Sequence, residues 1–418
     1  MKKLLFYTFI FLTIGVFSQE QLSLETCYTL VQKNYPLAKQ NDLLTQQNNL
    51  DLKVIKTKKL PQFDFLIQAT YQSDVTQMPI DIPGSGFEAP NLDQYKSTLS
   101  VNQLIYGGGK IDAVANLKSA ELKTHQKQIE VSLYQLKKQV NQLYFSILNL
   151  QEKNTLLNAK KNQLTTQLKE VKAGIEFGTI LPNADAALEV ELLKIDQQLV
   201  EIAVNKNTMI ETLSKLIGNE ISTTITFENP TIISNTATEI NRPELDLFQL
   251  QKEQIETSEN LISKQNTPQI AGFATGGFGN PGLNMLDNAF KTYYWVGVRM
   301  NWDVFNWNAT KNERQSLLIN KDIVDSEAEV FNLNTQIELN QQQAEISKIE
   351  SFIKTDAEII ELRKKIVKTA ASQLQNGVIT SSAYITEFTN LFEAENNINV
   401  HNIQLLLAKA NYNVTIGN

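Results

Sequence analysis

Two stretches of this sequence contain neither glycine nor proline, one between Gly109 and Gly174 and one between Gly297 and Gly377. At about 1.5 Å per residue, a helix through the shorter of them would extend ~96 Å, several times the diameter of a small domain. No compact globule houses such an element. The apolar positions of the first stretch are Ile129, Leu133, Leu136, Val140, Leu143, Ile147 and Leu150, spaced alternately by four and three. Leu157, Leu164, Leu168, Val171 and Ile175 continue the seam, which is the heptad signature of helices packed side by side. Leu339, Ile346, Ile349, Ile353, Ile360, Val367, Ala370 and Leu374 repeat it in the second stretch, with Gln342, Asp356 and Arg363 at apolar positions.

The two stretches belong to an internal duplication, which periodic proline and glycine positions reveal. Asn34 to Pro36 matches Asn241 to Pro243 at an offset of 207, and Pro61-Gln62 matches Pro268-Gln269. Asn102 matches Asn301 at an offset of 199, as do Tyr106 and Phe305, Gly178 and Gly377, and Ile217-Gly218 and Ile416-Gly417. The difference of eight falls between Gln62 and Val101, in a stretch with Met78-Pro79, Ile82-Pro83 and Ala89-Pro90, so the first copy has the longer loop. Residues 19–235 and 236–418 are thus expected to be two structural repeats. Each reads as a helix, two strands and a long helical hairpin.

The strands alternate as half-buried or lipid-facing walls do. Phe63, Phe65, Ile67, Ala69 and Tyr71 share one face against Asp64, Gln68, Thr70 and Gln72, and Tyr95, Leu99, Val101 and Ile105 stand against Lys96, Thr98, Ser100 and Asn102. Tyr294, Val296, Val298, Met300 and Trp302 do the same against Arg299, Asn301 and Asp303. The third strand, near Ile270 to Phe278, is weakened by Gly272, Gly276 and Gly277, and rests on the duplication. Tyr293, Tyr294, Trp295 and Trp302 bracket the fourth as membrane-interface aromatics would. A soluble sandwich core has the same periodicity.

Residues 1–18 read as a signal peptide, with two lysines, an apolar run from Leu4 to Phe17, and Val16 and Ser18 at the −3 and −1 positions. Beyond them no run is long and apolar enough for a membrane helix, so a membrane-embedded form must be a closed β-barrel. The one cysteine, Cys27, excludes an internal disulfide, and the Leu24-Glu25-Thr26 before it is a poor lipobox. A partly buried helix position is expected for it. The net charge of −7 argues against nucleic acid. His125 and His401 have no partners at metal-ligand or nucleophile spacing. Gly107-Gly108-Gly109-Lys110 is followed by Ile111, where a phosphate loop needs serine or threonine. Neither catalysis nor a cofactor is expected.

Four strands cannot close a barrel, since single-chain barrels begin at about eight, so the wall must be shared among subunits. The sequence resembles the TolC-type outer-membrane efflux family from about Leu22 to Gly417. The resemblance is carried by VNQLIYGGGK at Val101 to Lys110, MNWDVFNWNATKNE at Met300 to Glu313, NRPEL at Asn241 to Leu245, and the glycine turns at Gly178 and Gly377.

It implies a mostly α fold with β strands: a homotrimer whose twelve strands, four per chain, form one outer-membrane β-barrel, continued by a long α-helical coiled-coil tunnel through the periplasm. It also implies docking of the hairpin tips, Phe177, Gly178, Thr179 and Ile180 with Asn376, Gly377, Val378 and Ile379, onto a periplasmic adaptor protein of an inner-membrane pump. Family members carry aspartates at the tunnel's closed end, where this chain has Ala383 and Thr386. Asp185, Glu189 and Glu387 are the nearby acids for a periplasmic constriction. The expected function is passive conduction of solutes from the pump and adaptor to the exterior. A soluble periplasmic coiled-coil scaffold or adaptor is the alternative, which explains the heptads but not the strands. The exported substrate, whether drug, metal ion or polypeptide, stays open.

Overall fold

The structure, a computed structural model, describes residues 21–76, 89–233 and 239–418. The leader at 1–18 and the loop prolines Pro79 and Pro83 lie outside the described residues. A two-residue strand β1 (Gln21–Leu22) leads into helix α1 (Leu24–Asn34), a 3-10 turn at Pro36–Ala38 and helix α2 (Lys39–Thr57). Strands β2 (Gln62–Tyr71) and β3 (Asp93–Tyr106) precede the helical hairpin α3 (Lys110–Glu176) and α4 (Ala184–Ile217). After the short strand β4 (Thr226–Phe227) the series returns as α5 (Pro243–Ser263), β5 (Gln269–Asn280), β6 (Lys291–Asn301), α6 (Ala309–Gln375) and α7 (Ser381–Ile416). Helices α3 and α6 each have 67 residues. Both begin and end 199 positions apart, the offset of the duplication.

The chain divides into two units. One holds the described residues up to Ala38 with Val131–Arg242 and Asn332–Asn418. Within it, Leu157, Leu164 and Val171 of α3 meet Leu188, Ile195 and Ile202 of α4, Ile360, Val367 and Leu374 of α6, and Tyr384 and Phe388 of α7. The seven-residue spacing in three of these helices is what makes them pack along their length. A second cluster surrounds Tyr144, which is fully buried. Its hydroxyl lies 2.8 Å from Leu22 O and 2.7 Å from Glu228 O, and its ring packs edge-on against Phe227 at 5.2 Å. That anchors the parallel pairing of β1 with β4, two strands too short for any periodicity to announce.

Cys27 and Val31 of α1 complete this cluster with no exposed surface. Burial pushes the Cys27 thiol up to about 12, so the reactive thiolate is suppressed. Maleimide at pH 8 is expected to leave Cys27 unmodified in the folded protein and to label it fully in denaturant. Equal labelling rates in the two states would contradict its burial.

The other unit holds Lys39–Glu130 and Pro243–Phe331. It contains a four-stranded sheet in the order β2-β3-β5-β6, antiparallel throughout. Strands β2 and β6, at the two edges, therefore run in opposite directions. The glycines that weaken β5 in the sequence do not interrupt it; Gly272, Gly276 and Gly277 all pair on both sides. No helix among the described residues is long and apolar enough to cross a membrane.

Candidate membrane sheet and helical tips

Pleating sends successive side chains to opposite faces, and the register aligns one apolar face across all four strands. Phe63 lies beside Val101, Val101 beside Ala274, and Ala274 beside Val296; the next row runs Phe65, Leu99, Gly276, Tyr294. These side chains stay open: Phe65 is 68% exposed and Val296 70%. A sandwich core would cover them, whereas a contiguous apolar patch left open marks a surface made for a partner or for lipid. The opposite face carries Asp64, Gln68, Lys96, Ser100 and Thr275, with the hydroxyls of Ser100 and Thr275 3.0 Å apart.

The four aromatics at β6 do not share one face. Tyr294 stands on the apolar face, but Tyr293 and Trp295, its direct neighbours in the chain, point to the polar one. There the Tyr293 ring covers Gly277 across the strand pair and stacks on Trp295 at 5.6 Å. Trp302 lies one residue beyond β6, and its indole N–H donates to Asn266 O at 3.1 Å. The same polar face has Phe273 folded over Gly297 with the Arg299 guanidinium 5.2 Å from its ring. Sequence reading missed this cluster, although each of these glycines pairs with an aromatic at the register fixed by the duplication.

At the other end of the long helices the chain turns through Gly178 (φ +73°) and Gly377 (φ +67°). Both adopt the left-handed conformation that closes helix ends, which residues with a Cβ rarely take. The amide of Thr179 donates to Gly174 O at 2.8 Å and that of Val378 to Gln373 O at 2.8 Å, satisfying carbonyls the helices leave open. A side chain on Gly377 would come within 3.3 Å of Thr179 O, so the two tips sit against each other. Phe177 and Val378 project outward, 80% and 69% exposed. Ile180 folds back over Gly174, and Thr380 caps α7 by accepting from the Ala383 amide.

Of the three acids near the tips, Glu189 lies 2.6 Å from Lys172 and Glu387 lies 3.1 Å from Arg363, each inside its own hairpin. The Glu189 carboxylate raises the Lys172 ammonium above its ordinary value. Asp185 sits in the first turn of α4. No group of three or more metal-ligating side chains occurs among the described residues. His401 pairs with Asp356 at 2.5 Å.

Residues 38–219, spanning α2 to the end of the first hairpin, match the family model described as outer membrane efflux protein. Over this segment, less than half of the chain, the sequence is similar to that family. No protein of curated function matches the sequence. Solved outer membrane proteins share the fold of this chain over 94% of its length. The CmeC channel of Campylobacter jejuni is 15% identical with a TM-score of 0.64 over 85% of its own chain. VceC of Vibrio cholerae is 12% identical with a TM-score of 0.66 over 96%. The open state of the MtrE channel of Neisseria gonorrhoeae is 12% identical with a TM-score of 0.65 over 89%. The efflux-protein match covers the first tip at 177–180 and ends before the second.

Proposed function

We propose that this protein is the outer-membrane exit duct of a tripartite efflux or secretion assembly. The carrying observation is the sheet: four aligned strands with one exposed apolar face and two open edges that run in opposite directions. An open edge cannot stand in lipid, where every backbone group needs a partner. An even number of strands lets β6 of one copy pair antiparallel with β2 of the next, and three copies give twelve. The helical part would then continue the barrel into the periplasm as a tunnel, and the protein would conduct passively, with energy supplied by the inner-membrane pump.

Apolar stripes left open on the helices support the same assembly. Helix α4 exposes Val190, Leu193, Val200 and Val204, and α6 exposes Phe352, Ile359, Leu362 and Ile366. These are heptad-spaced seams distinct from those buried within the chain, and a second copy covers them. We assign the outward Phe177 and Val378, with the glycine turns beside them, to docking of the periplasmic adaptor. The narrow end we assign to Asp185 alone, because Lys172 and Arg363 neutralise Glu189 and Glu387.

Reconstitution into planar lipid bilayers tests the duct. Stepwise, ohmic current increments are expected, with protein that requires detergent for solution. A chain that stays monomeric and soluble without detergent and gives no current steps would overturn the reading in favour of a soluble coiled-coil scaffold.

A further inference from the structure

Moving β2 by 207 residues and β3 by 199 gives β5 and β6, and the pairing moves with them. Phe63 beside Val101 becomes Ile270 beside Met300, and Phe65 beside Leu99 becomes Gly272 beside Val298; both are the observed partners. The sheet is therefore two equivalent hairpins, and the pairing of β3 with β5 is the joint between them.

Each inner strand is longer than its copy at the edge. Strand β3 has 14 residues against 11 in β6, and β5 has 12 against 10 in β2. Gln103, Leu104 and Tyr106 of β3 pair with β5 alone, and Asn280 of β5 pairs with β3 alone. The edges lack this length because they lack the neighbour that would pair it. Strand β6 stops at Asn301, the counterpart of Asn102, and leaves Trp302 and Phe305 53% and 68% exposed beyond it.

We propose that the joint between copies of this chain repeats the joint within it, which fixes the register of β6 against β2 of the next copy. This rests on the exit-duct reading and adds to it the residues that meet at the seam. Carrying the β3–β5 pairs over by the same two offsets sets Met300 opposite Ile67 of the next copy, Val298 opposite Ala69, Val296 opposite Tyr71 and Trp302 opposite Phe65. Every one of these pairs is apolar. On the other face Arg299 meets Gln68 of the next copy, in the place where Ser100 meets Thr275 within the chain. A slip of one residue would set the apolar face of β6 against the polar face of β2. A slip of two keeps the faces but makes the joints between copies unlike those within them. Stagger and strand tilt are linked, so the hairpins would then tilt unequally around the wall.

The test is disulfide cross-linking with copper phenanthroline in isolated outer membranes, read on denaturing gels without reductant. Val298→Cys combined with Ala69→Cys is expected to give covalent dimer and trimer about tenfold faster than Val298→Cys combined with Ile67→Cys or with Tyr71→Cys. Those diagonal neighbours lie ~7–8 Å away, beyond easy disulfide reach. Met300→Cys with Ile67→Cys reads the same register independently, should the first pair assemble poorly. Links within one chain do not compete, because β2 and β6 stand three strand spacings apart, ~14 Å, and the one native cysteine, Cys27, is buried. Unheated gels of the same membranes report assembly. An assembled oligomer that links fastest at a shifted pair, or at none, would overturn the register and leave the duct standing; the absence of any oligomer would overturn both.

Discussion

Val296→Arg is expected to abolish recovery of the protein in the outer membrane. Val296 sits at the middle of β6, 70% exposed, flanked on its face by Tyr294 and Val298. Arginine on the lipid face of a barrel near the bilayer midplane costs ~2–4 kcal/mol. In the proposed trimer the cost repeats in each of three copies, giving about 6–12 kcal/mol for the assembly, comparable with the whole stability of an ordinary domain. Asp64→Arg is the matched control, because Asp64 lies in an edge strand on the opposite, polar face. It is expected to insert and assemble normally. Membrane fractionation with unheated gel electrophoresis reads both variants. Normal insertion of Val296→Arg would place the apolar face away from lipid and undo the orientation of the sheet.

Leu193→Asp combined with Val200→Asp is expected to dissociate the assembly while leaving the chain folded. The two residues stand a heptad apart on the exposed stripe of α4 and are each 66% exposed in the single chain. The buried stripe of the same helix, Leu188, Ile195 and Ile202, is untouched by the change. Losing the burial of two aliphatic side chains removes ~3–6 kcal/mol from each interface, and desolvating aspartate adds to it. Size-exclusion chromatography in detergent should show the oligomer replaced by smaller species, with helical circular dichroism retained. An oligomer as stable as the wild type would mean that the stripe faces something other than a second copy.

Much of this fold was legible in the sequence because its periodicities run so long. The glycine-free stretches announced α3 and α6, and alternation announced β2, β3 and β6. Strand β5 was legible only through its copy, since glycines erase alternation; register pairs Gly277 with Tyr293, whose ring occupies the space beside it. The glycine turns placed both tips, because a left-handed residue ends a helix wherever it occurs. Periodicity could not say which of two apolar stripes on α4 turns inward, since both repeat every seven residues. Nor could it pair Glu189 with Lys172 or Glu387 with Arg363, contacts that depend on how two helices are phased about their axes. Nearness in the chain does not make Tyr293, Tyr294 and Trp295 one surface, because the pleat separates neighbours.

The central claim is that three chains share one wall, and counting the copies tests it most directly. Native mass spectrometry of the complex released from a neutral detergent is predicted to give a mass three times that of the single chain measured in denaturant. A monomer or a dimer as the largest species would contradict the twelve-stranded barrel, and with it the exit duct.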